Sequence, residues 1–272
     1  MLTNAKFNRL KSILGELGSA LVAYSGGTDS TFLARVAHDI LGERMLAVQV
    51  SGEVFSAEET ARAEETAVRE GFCYRIQELD FLGIPGFVEN SPRRCYYCRK
   101  AMFARLRETA DRHGLVWIIN GDHEGDLAEY RPGRRAALEN GVRSPLIEAG
   151  LGKQEIRELS RVLGLPSWSR AASPCLASRI PFGTPVTTEI LRRVEAGEAC
   201  IHEIGIEQVR LRHYGDTARI EVPPQDMPKL LEVKVRESLV AHLVSLGYRY
   251  VTMDLEGYRT GSLNTGTPVS KE

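Results

Sequence analysis

One short stretch near the amino terminus constrains the fold more than any other part of the sequence. An apolar run at residues 20–23 predicts a buried strand, and from Thr31 to Ala37 apolar residues recur at helical spacing. Between them lies Ser25-Gly26-Gly27-Thr28-Asp29-Ser30. Glycines let the backbone approach a ligand closely, and the N–H groups and dipole of a helix N-terminus favour anionic oxygens. The stretch therefore predicts a strand–loop–helix unit that binds phosphate.

The side chains of this loop narrow the prediction. Ser25, Thr28 and Ser30 supply hydroxyl donors, and Asp29 supplies a carboxylate that suits Mg2+. The loop lacks the lysine of the G-x-x-x-x-G-K-[ST] motif, and the sequence contains no G-x-G-x-x-G after a strand. The plainer alternative is a Gly-Gly turn before an N-capped helix. All six positions in a strand–loop–helix context favour nucleotide binding, and we expect the nucleotide to be ATP.

Strands and helices alternate along the first half of the chain. Apolar runs predict three more strands, at 45–50, 72–76 and 115–119, and helical periodicity predicts helices at 5–17, from Ser56 onward, and at 98–113. This alternation predicts an α/β fold, a parallel sheet with helices on both faces. Because ligands of such sheets lie beyond the carboxyl ends of the strands, the expected nucleotide contacts include three strand-end residues: Ala23, Val50 and Gly121.

The second half of the chain follows a different pattern. A short fifth strand is expected near Ser144-Pro145-Leu146 and a helix from Gly152 to Gly164. The composition then shifts to Pro, Ser and Gly up to Val186, which is typical of a functional loop. Beyond it we expect a helix at 187–204, two alternating strands joined at Gly215-Asp216, a helix at about 227–246 and a strand at 248–253. The predicted domains are 1–165 for ATP, 166–186 as an interdomain loop, and 187–272 as a small α+β domain for substrate binding and oligomerisation.

Composition argues against several classes of partner. The formal net charge of −1 does not suit a broad nucleic-acid-binding face, so no nucleic-acid partner is expected. No apolar stretch approaches membrane-spanning length, and the amino terminus reads as a helix rather than a signal segment. We therefore expect a cytoplasmic protein without a membrane partner. Five cysteines in a reducing compartment favour metal binding or chemistry over disulfides.

Three of the five cysteines lie in polar surroundings. Cys95 and Cys98 form a C-x-x-C at the start of a predicted helix, where flanking Arg and Lys residues favour thiolates, the form that binds metals. Cys175 lies in the predicted interdomain loop. Three thiolates suit an iron–sulfur cluster with one open iron, or a zinc with an open position; a redox pair or three separate thiols are the alternatives. Cys73, in a strand, and Cys200, on a helix, are expected to be core thiols.

Arginines gather on a predicted β-ribbon in the second half of the chain. Arg210 and Arg212 alternate onto one face of their strand, and Arg219 and Glu221 alternate on the partner strand. Such a ribbon could clamp a phosphate or carboxylate with two parallel hydrogen bonds. Cross-strand charge pairing on a wet face is the equally good alternative. The same two interpretations apply to two further arginines, Arg131 and Arg179.

Several motifs occur in an order typical of one family. The loop is followed by Tyr130-Arg131-Pro132-Gly133, by Ser173-Pro174-Cys175-Leu176-Ala177-Ser178-Arg179-Ile180-Pro181-Phe182-Gly183, by Arg210-Leu211-Arg212 and by residues 246–255. Over nearly the whole chain this order resembles the LarE family, ATP-dependent sulfur transferases of nickel-pincer nucleotide cofactor synthesis. The resemblance implies an adenine nucleotide alpha-hydrolase-like (PP-loop) fold. It also implies that ATP adenylylates a carboxylate of pyridinium-3,5-biscarboxylic acid mononucleotide, and that sulfur then displaces AMP to give a thiocarboxylate.

Members of this family differ in their source of sulfur. Some sacrifice one cysteine of the late motif, here Cys175, and leave dehydroalanine; others hold a 4Fe-4S cluster whose open iron carries a transferable sulfide. Because Cys95, Cys98 and Cys175 are all present, the resemblance implies the cluster route, with ATP and Mg2+ as further cofactors. It implies homo-oligomers of trimer or hexamer type, and the sulfide donor is unknown. Residues 120–126 read N-G-D-H-E-G-D where the superfamily has D-G-T-N-x-D-D. Because of this difference, the role of the last aspartate of the superfamily stretch does not carry over directly to Asp126.

Three other functions fit parts of the sequence. A tRNA-thiolating pyrophosphatase also pairs this loop with cysteines, but the near-neutral charge counts against it. An ammonia-using synthetase of the same loop class would leave the cysteines incidental. A non-catalytic module would bind ATP without releasing pyrophosphate.

Overall fold

The computed structural model describes residues 2–127, 132–170, 174–259 and 263. The chain divides into two compact units. The first contains the described residues of 1–84 and 93–173, and the second contains those of 85–92 and 174–272. The short segment 85–92 thus leaves the first unit and packs with the carboxy-terminal half, an excursion that no local sequence pattern indicates.

The first unit is built on a four-stranded parallel sheet. Its strands are β1 (Ala20–Ala23), β2 (Met45–Ser51), β3 (Tyr74–Glu78) and β4 (Trp117–Ile119). Their spatial order is β3-β2-β1-β4 and every pair is parallel. The α/β fold predicted from the sequence is confirmed. The two central strands are almost entirely buried, as expected for strands that helices cover on both faces.

Helices connect and cover these strands. They are α1 (Leu2–Leu17), α2 (Thr28–Leu41), α3 (Ala57–Arg69), α5 (Arg94–Arg112), α6 (Pro132–Glu139), α7 (Pro145–Glu148) and α8 (Lys153–Val162); α4 (Pro85–Val88) belongs to the second unit. Apolar residues of α1, α2, α3 and α8 pack with β1 and β2 in one hydrophobic core. The start of α3 is set by Ser56, whose side chain accepts a hydrogen bond from the Glu59 N–H at 3.2 Å.

The structure corrects two predictions in this unit. The expected fifth strand at 144–146 is wrong, because these residues begin α7. Pro145 takes the first helical position, where its fixed φ and missing N–H carry no penalty. Nearby strand pairing among the described residues is reduced to an isolated bridge between Ile119 and Arg143. In addition, α5 begins at Arg94 rather than at Cys98, so both cysteines of the C-x-x-C lie within the helix.

The second unit is a small α+β structure. Besides α4 it contains α9 (Thr188–Glu203), β5 (Arg210–Tyr214), β6 (Thr217–Glu221), α10 (Met227–Leu231), α11 (Val233–Ser245) and β7 (Tyr250–Met253). Its strand order is β5-β6-β7. β5 and β6 are antiparallel with Tyr214 opposite Thr217, which confirms the two-residue turn at 215–216, and β7 is parallel to β6.

One long helix expected in this unit is wrong. Glu232 has an extended conformation, with ψ of 131°, and separates α10 from α11.

The segment 85–92 is held by Asn90, a buried residue whose side-chain amide donates to the carbonyls of Pro181 at 2.8 Å and Thr184 at 2.7 Å. Among the described residues, no helix is both long and apolar enough to cross a membrane.

Candidate functional site

The predicted phosphate loop forms the start of α2 at the carboxyl end of β1. Gly27 is the N-cap of this helix, so Thr28, Asp29 and Ser30 occupy its first three positions, where backbone N–H groups have no intrahelical acceptor. Ser30 organises the loop: its hydroxyl accepts from the Ser25 N–H at 3.2 Å and lies 3.0 Å from the Ser25 hydroxyl. The loop therefore presents a helix N-terminus and a pair of hydroxyl groups, an arrangement suited to pyrophosphate.

Asp29 lies in this first turn with a partly buried carboxylate. Its Oδ1 atom is buried and makes no hydrogen bond among the described residues. Burial raises the pKa of Asp29, and the nearby charges of His123 and Lys153 partly offset that rise. A buried, unpaired carboxylate oxygen is costly unless a cation or donor completes it. The site fits the expected Mg2+, which prefers carboxylate and phosphate oxygens.

A further segment of the first unit holds the loop from outside. The Thr28 hydroxyl donates to the Ser167 carbonyl at 2.6 Å. Arg170 donates from Nη1 to the Gly26 carbonyl at 3.0 Å. The Thr28 side chain, expected from the sequence to be a phosphate donor, thus binds the protein itself in this conformation. Residues 167–170 consequently restrain the loop on both sides of Gly27.

The carboxyl end of β4 lies directly against the loop. An added Cβ on Gly121 would lie 2.9 Å from the Ser30 nitrogen, so this glycine is required for close approach. The next residue, Asp122, is buried and receives a bidentate interaction from Arg99, with both N–O distances 3.1 Å. Although burial disfavours the guanidinium, Asp122, followed by Cys95 and Cys98, raises the pKa of Arg99. Arg99 therefore contacts this aspartate from the helix that carries the cysteine pair.

The other predicted strand-end contacts occupy the same edge of the sheet. Ala23 ends β1 and is half-buried, whereas Val50 lies one residue before the end of β2 and is buried. Asp126 is buried, and its Oδ2 accepts from the His123 N–H at 3.0 Å. Arg131, which was also expected to contact the nucleotide, lies outside the described residues.

The five cysteines all lie among the described residues, and no disulfide joins them. Cys95 is exposed and Cys98 is half-buried in the first turns of α5. Cys175 is half-buried in the second unit, just before a 3-10 turn at Leu176–Arg179. The expectation that Cys73 is a core thiol is wrong: it lies just before edge strand β3 and is exposed. Cys200 is only half-buried.

A metal centre is not preassembled in the described parts of the chain. Within residues 2–127, 132–170 and 174–259, no three His, Cys, Asp or Glu side chains are grouped to hold a metal ion. The donor chemistry nevertheless suits a cluster. Cys95 and Cys98 are thiols three residues apart near the start of α5, and thiols are the ligands that iron–sulfur clusters use.

The predicted arginines of the second unit form a buried network with two glutamates. Arg179 makes a bidentate interaction with Glu198, at 2.9 and 2.7 Å. Arg212 donates to Glu221 at 3.0 and 2.8 Å. The Glu221 side chain is 0% exposed and also accepts from Arg219 at 2.8 Å. The structure thus brings the predicted arginines and Glu221 together, with cross-strand charge pairing as part of the same arrangement.

Arg210 gives this network its positive character. It is buried, its guanidinium lies 5.4 Å from the centre of the Tyr258 ring, and it lies opposite Glu221 in the β5–β6 pair. Burial and the charge of Arg179 lower the pKa of Arg210, and Glu198 only partly opposes them. A guanidinium in net positive potential favours an anionic ligand. This cluster is therefore suited to a phosphate or carboxylate group.

Several residues of these sites escaped the sequence analysis. Lys153 and Arg157 lie on one side of α8 and act electrostatically on Asp29. Glu198 lies on the buried side of α9 with Leu191, Val194 and Ile201. The sequence did contain a signal for Glu198, because this charged residue occupies an apolar position of the helical pattern. A buried charge is costly without a partner, so its position indicates a buried ion pair.

Similarity to known proteins spans almost the whole chain, although no family profile matches it. It is 39% identical over 260 residues to an uncharacterised protein of Synechocystis sp., covering 96% of this chain and 97% of the relative. It is 37% identical over 256 residues to pyridinium-3,5-bisthiocarboxylic acid mononucleotide synthase of Lactiplantibacillus plantarum, covering 94% and 92%. One component of the glutamine-hydrolysing GMP synthase of Archaeoglobus fulgidus is 28% identical over 180 residues, 62% of this chain and 56% of that relative.

Proposed function

Because the chain belongs to the LarE family of pyridinium-3,5-bisthiocarboxylic acid mononucleotide synthases, we propose that it is an ATP-dependent sulfur transferase of pincer cofactor synthesis. Its substrate is pyridinium-3,5-biscarboxylic acid mononucleotide. The observation that carries this conclusion is 37% identity over 94% of the chain, together with the S-G-G-T-D-S loop at the N-terminus of α2.

The reaction has two steps. A substrate carboxylate oxygen attacks the α-phosphorus of ATP, the bond to the β-phosphate oxygen breaks, and pyrophosphate leaves. Sulfide then attacks the acyl carbon, and the bond to the AMP oxygen breaks to leave a thiocarboxylate. The N–H groups at the start of α2 would bind the departing pyrophosphate, Asp29 would hold Mg2+, and Lys153 with Arg157 would stabilise the added negative charge.

The sulfur source is a finer part of the proposal. Cys95, Cys98 and Cys175 would hold a 4Fe-4S cluster, which when bound would supply sulfide for transfer. Thiols are the ligands that such clusters use, and two of these lie in consecutive turns at the start of α5. The alternative within the same reaction is that Cys175 gives up its own sulfur and becomes dehydroalanine.

The substrate would be held through its anionic groups by the second unit. Arg179, Arg210 and Arg212 would bind its phosphate, with Glu221 fixing the direction of the Arg212 guanidinium at 2.8 Å. We further propose that the protein forms homo-oligomers of trimer or hexamer type. It would take sulfide from an unidentified donor and would have no nucleic-acid partner. Light scattering of the purified protein would test the oligomeric state.

Anaerobic turnover with ATP, Mg2+, the mononucleotide and sulfide tests this function. We expect pyrophosphate, AMP and thiocarboxylate in equal amounts over many turnovers, with iron and sulfide bound to the protein. Cys95→Ser and Cys98→Ser should lose iron, whereas Cys73→Ser, at an exposed cysteine of the same unit, should retain it. A single turnover with loss of hydrogen sulfide mass from Cys175 would replace the cluster route with the sacrificial one. Pyrophosphate release without any sulfur product would contradict the proposed function.

A further inference from the structure

An ion pair between partly exposed Arg99 and buried Asp122 links the helix of the cysteine pair to the nucleotide edge of the sheet. Arg99 follows Cys98 in the second turn of α5. Its Nη1 and Nη2 atoms donate to the two carboxylate oxygens of Asp122, each at 3.1 Å. Only 7% of the Asp122 side chain is exposed. A two-point interaction between planar groups defines orientation as well as distance.

Both partners of this pair are themselves fixed. The Asn120 side-chain amide donates to Asp122 Oδ2 at 2.9 Å, and the Asp122 N–H donates back to Asn120 Oδ1 at 3.3 Å. Ser144 donates to the same Asn120 oxygen at 2.8 Å. The Arg99 side chain crosses Gly133 of α6, where an added Cβ would overlap its stem and lie 3.0 Å from Nε. The pair is therefore oriented from both sides, unlike a mobile surface salt bridge.

The anchored aspartate is joined directly to the pyrophosphate loop. Gly121 precedes Asp122, and its Cα packs against the backbone of Asp29 and Ser30 closely enough to exclude a Cβ. This close packing fixes the end of β4 against the first turn of α2. Short, rigid contacts thus lead from Ser30 through Asp122 to Arg99 and the cysteine turn.

We propose that Arg99 and Asp122 are positioning residues for sulfur transfer, which hold the turn carrying Cys95 and Cys98 at a fixed place beside the pyrophosphate loop. The proposal rests on the proposed function. Sulfur must reach the acyl adenylate in a narrow range of geometries, and a misplacement of about 1 Å can cost about 100-fold in rate. The proposal also gives a role to Asp122, the third residue of the 120–126 stretch, where the superfamily pattern has threonine.

A simple stabilising role makes a different prediction. A buried ion pair adds little net stability but costs much when one partner is removed, so loss of the pair could lower every activity together with folding. A positioning role instead separates the two chemical steps. Adenylylation uses α2 and should survive, whereas sulfur transfer uses the α5 turn and should fall.

The test compares Asp122→Asn and Arg99→Lys with Arg105→Lys in the full-length protein. Arg105 is a matched control on the same helix, because its guanidinium pairs with Glu108 on the exposed surface at 2.6 Å. ATP–pyrophosphate exchange with the mononucleotide measures adenylylation, and thiocarboxylate formation measures transfer. Hydrogen exchange of amides 94–99 measures the anchoring of the turn without any substrate or cluster.

We expect Asp122→Asn to slow sulfur transfer about 10- to 100-fold while pyrophosphate exchange changes less than about threefold. Arg99→Lys, which keeps the charge but loses the two-point geometry, should show the same split to a smaller degree. Amides 94–99 should exchange faster in both, and Arg105→Lys should match the parent. Parallel loss of both steps, or unchanged exchange of these amides, would overturn the proposal. A parent protein without pyrophosphate exchange would reject the proposed function instead, while the amide data would still decide whether the pair anchors the turn.

Discussion

Replacing Gly26 with alanine tests how the pyrophosphate loop is built. Gly26 has a φ of +72°, and an added Cβ would overlap the Cβ of Ala63 on α3 and lie 2.9 Å from its Cα. The left-handed backbone costs an L-residue about 1–2 kcal/mol, and overpacking at a rigid helix backbone costs about 1–3 kcal/mol. We therefore expect Gly26→Ala to lower the free energy of unfolding by about 2–5 kcal/mol, the sum of these two costs.

Gly18 provides the matched control. Its φ of +71° is nearly the same, but no atom lies within 4 Å of an added Cβ. Gly18→Ala should therefore show the backbone cost alone, about 1–2 kcal/mol. Urea unfolding of both variants gives the comparison, and the difference between them measures the contact with α3.

A second substitution and a second assay complete this experiment. Ala63→Gly should reduce the cost of Gly26→Ala, because it removes the overlapping methyl group and leaves the backbone contact. ATP–pyrophosphate exchange should fall at least about tenfold in Gly26→Ala, since the loop must move to admit the Cβ. The reasoning is refuted if Gly26→Ala costs no more than Gly18→Ala, or if Ala63→Gly gives no relief.

Three further predictions follow from single side chains. Asp29→Asn should abolish adenylylation yet stabilise the ligand-free protein by about 1 kcal/mol at neutral pH. Burial raises the pKa of Asp29, so the ionised carboxylate destabilises the folded protein, and this effect grows as pH rises from the unfolded-state pKa to the folded-state pKa. Urea unfolding at acidic and at neutral pH should therefore show the extra stability of Asp29→Asn only at neutral pH. Glu221→Gln should cost about 3–5 kcal/mol in urea unfolding, because it leaves the buried Arg212 without its charged partner; a cost below about 1 kcal/mol would contradict the network. Thr28→Val should lower stability by about 1 kcal/mol and leave the KM for ATP unchanged, because its hydroxyl is donated to the Ser167 carbonyl; a large rise in KM would make that hydroxyl a nucleotide ligand.

The sheet and the loop were predictable because their signals are local. Buried strands before a Gly-Gly turn and apolar residues at helical spacing specify α2 within about 20 residues, and the structure has it at Thr28–Leu41. The 215–216 hairpin was predictable for the same reason, since a two-residue turn that begins with glycine sets the register of both strands.

The misses arise where tertiary contacts or a single residue override a pattern. Pro145 converts an apparent strand into the first turn of α7, and Glu232 interrupts a pattern that otherwise reads as one helix. Cys73 has the neighbours of a core strand residue but lies at the edge of the sheet, and strand order cannot be read from local sequence. The Arg99–Asp122 pair joins residues far apart in the chain, so no spacing rule indicates it.

The central claim is that this chain activates a carboxylate with ATP and replaces one of its oxygens by sulfur. Mass spectrometry of the mononucleotide after incubation with ATP, Mg2+ and sulfide tests it directly when pyrophosphate is measured in the same sample. We predict one pyrophosphate released for each oxygen exchanged for sulfur, and neither product with Asp29→Asn. Formation of ADP and phosphate in place of AMP and pyrophosphate, or a product that retains both carboxylate oxygens, would contradict the account.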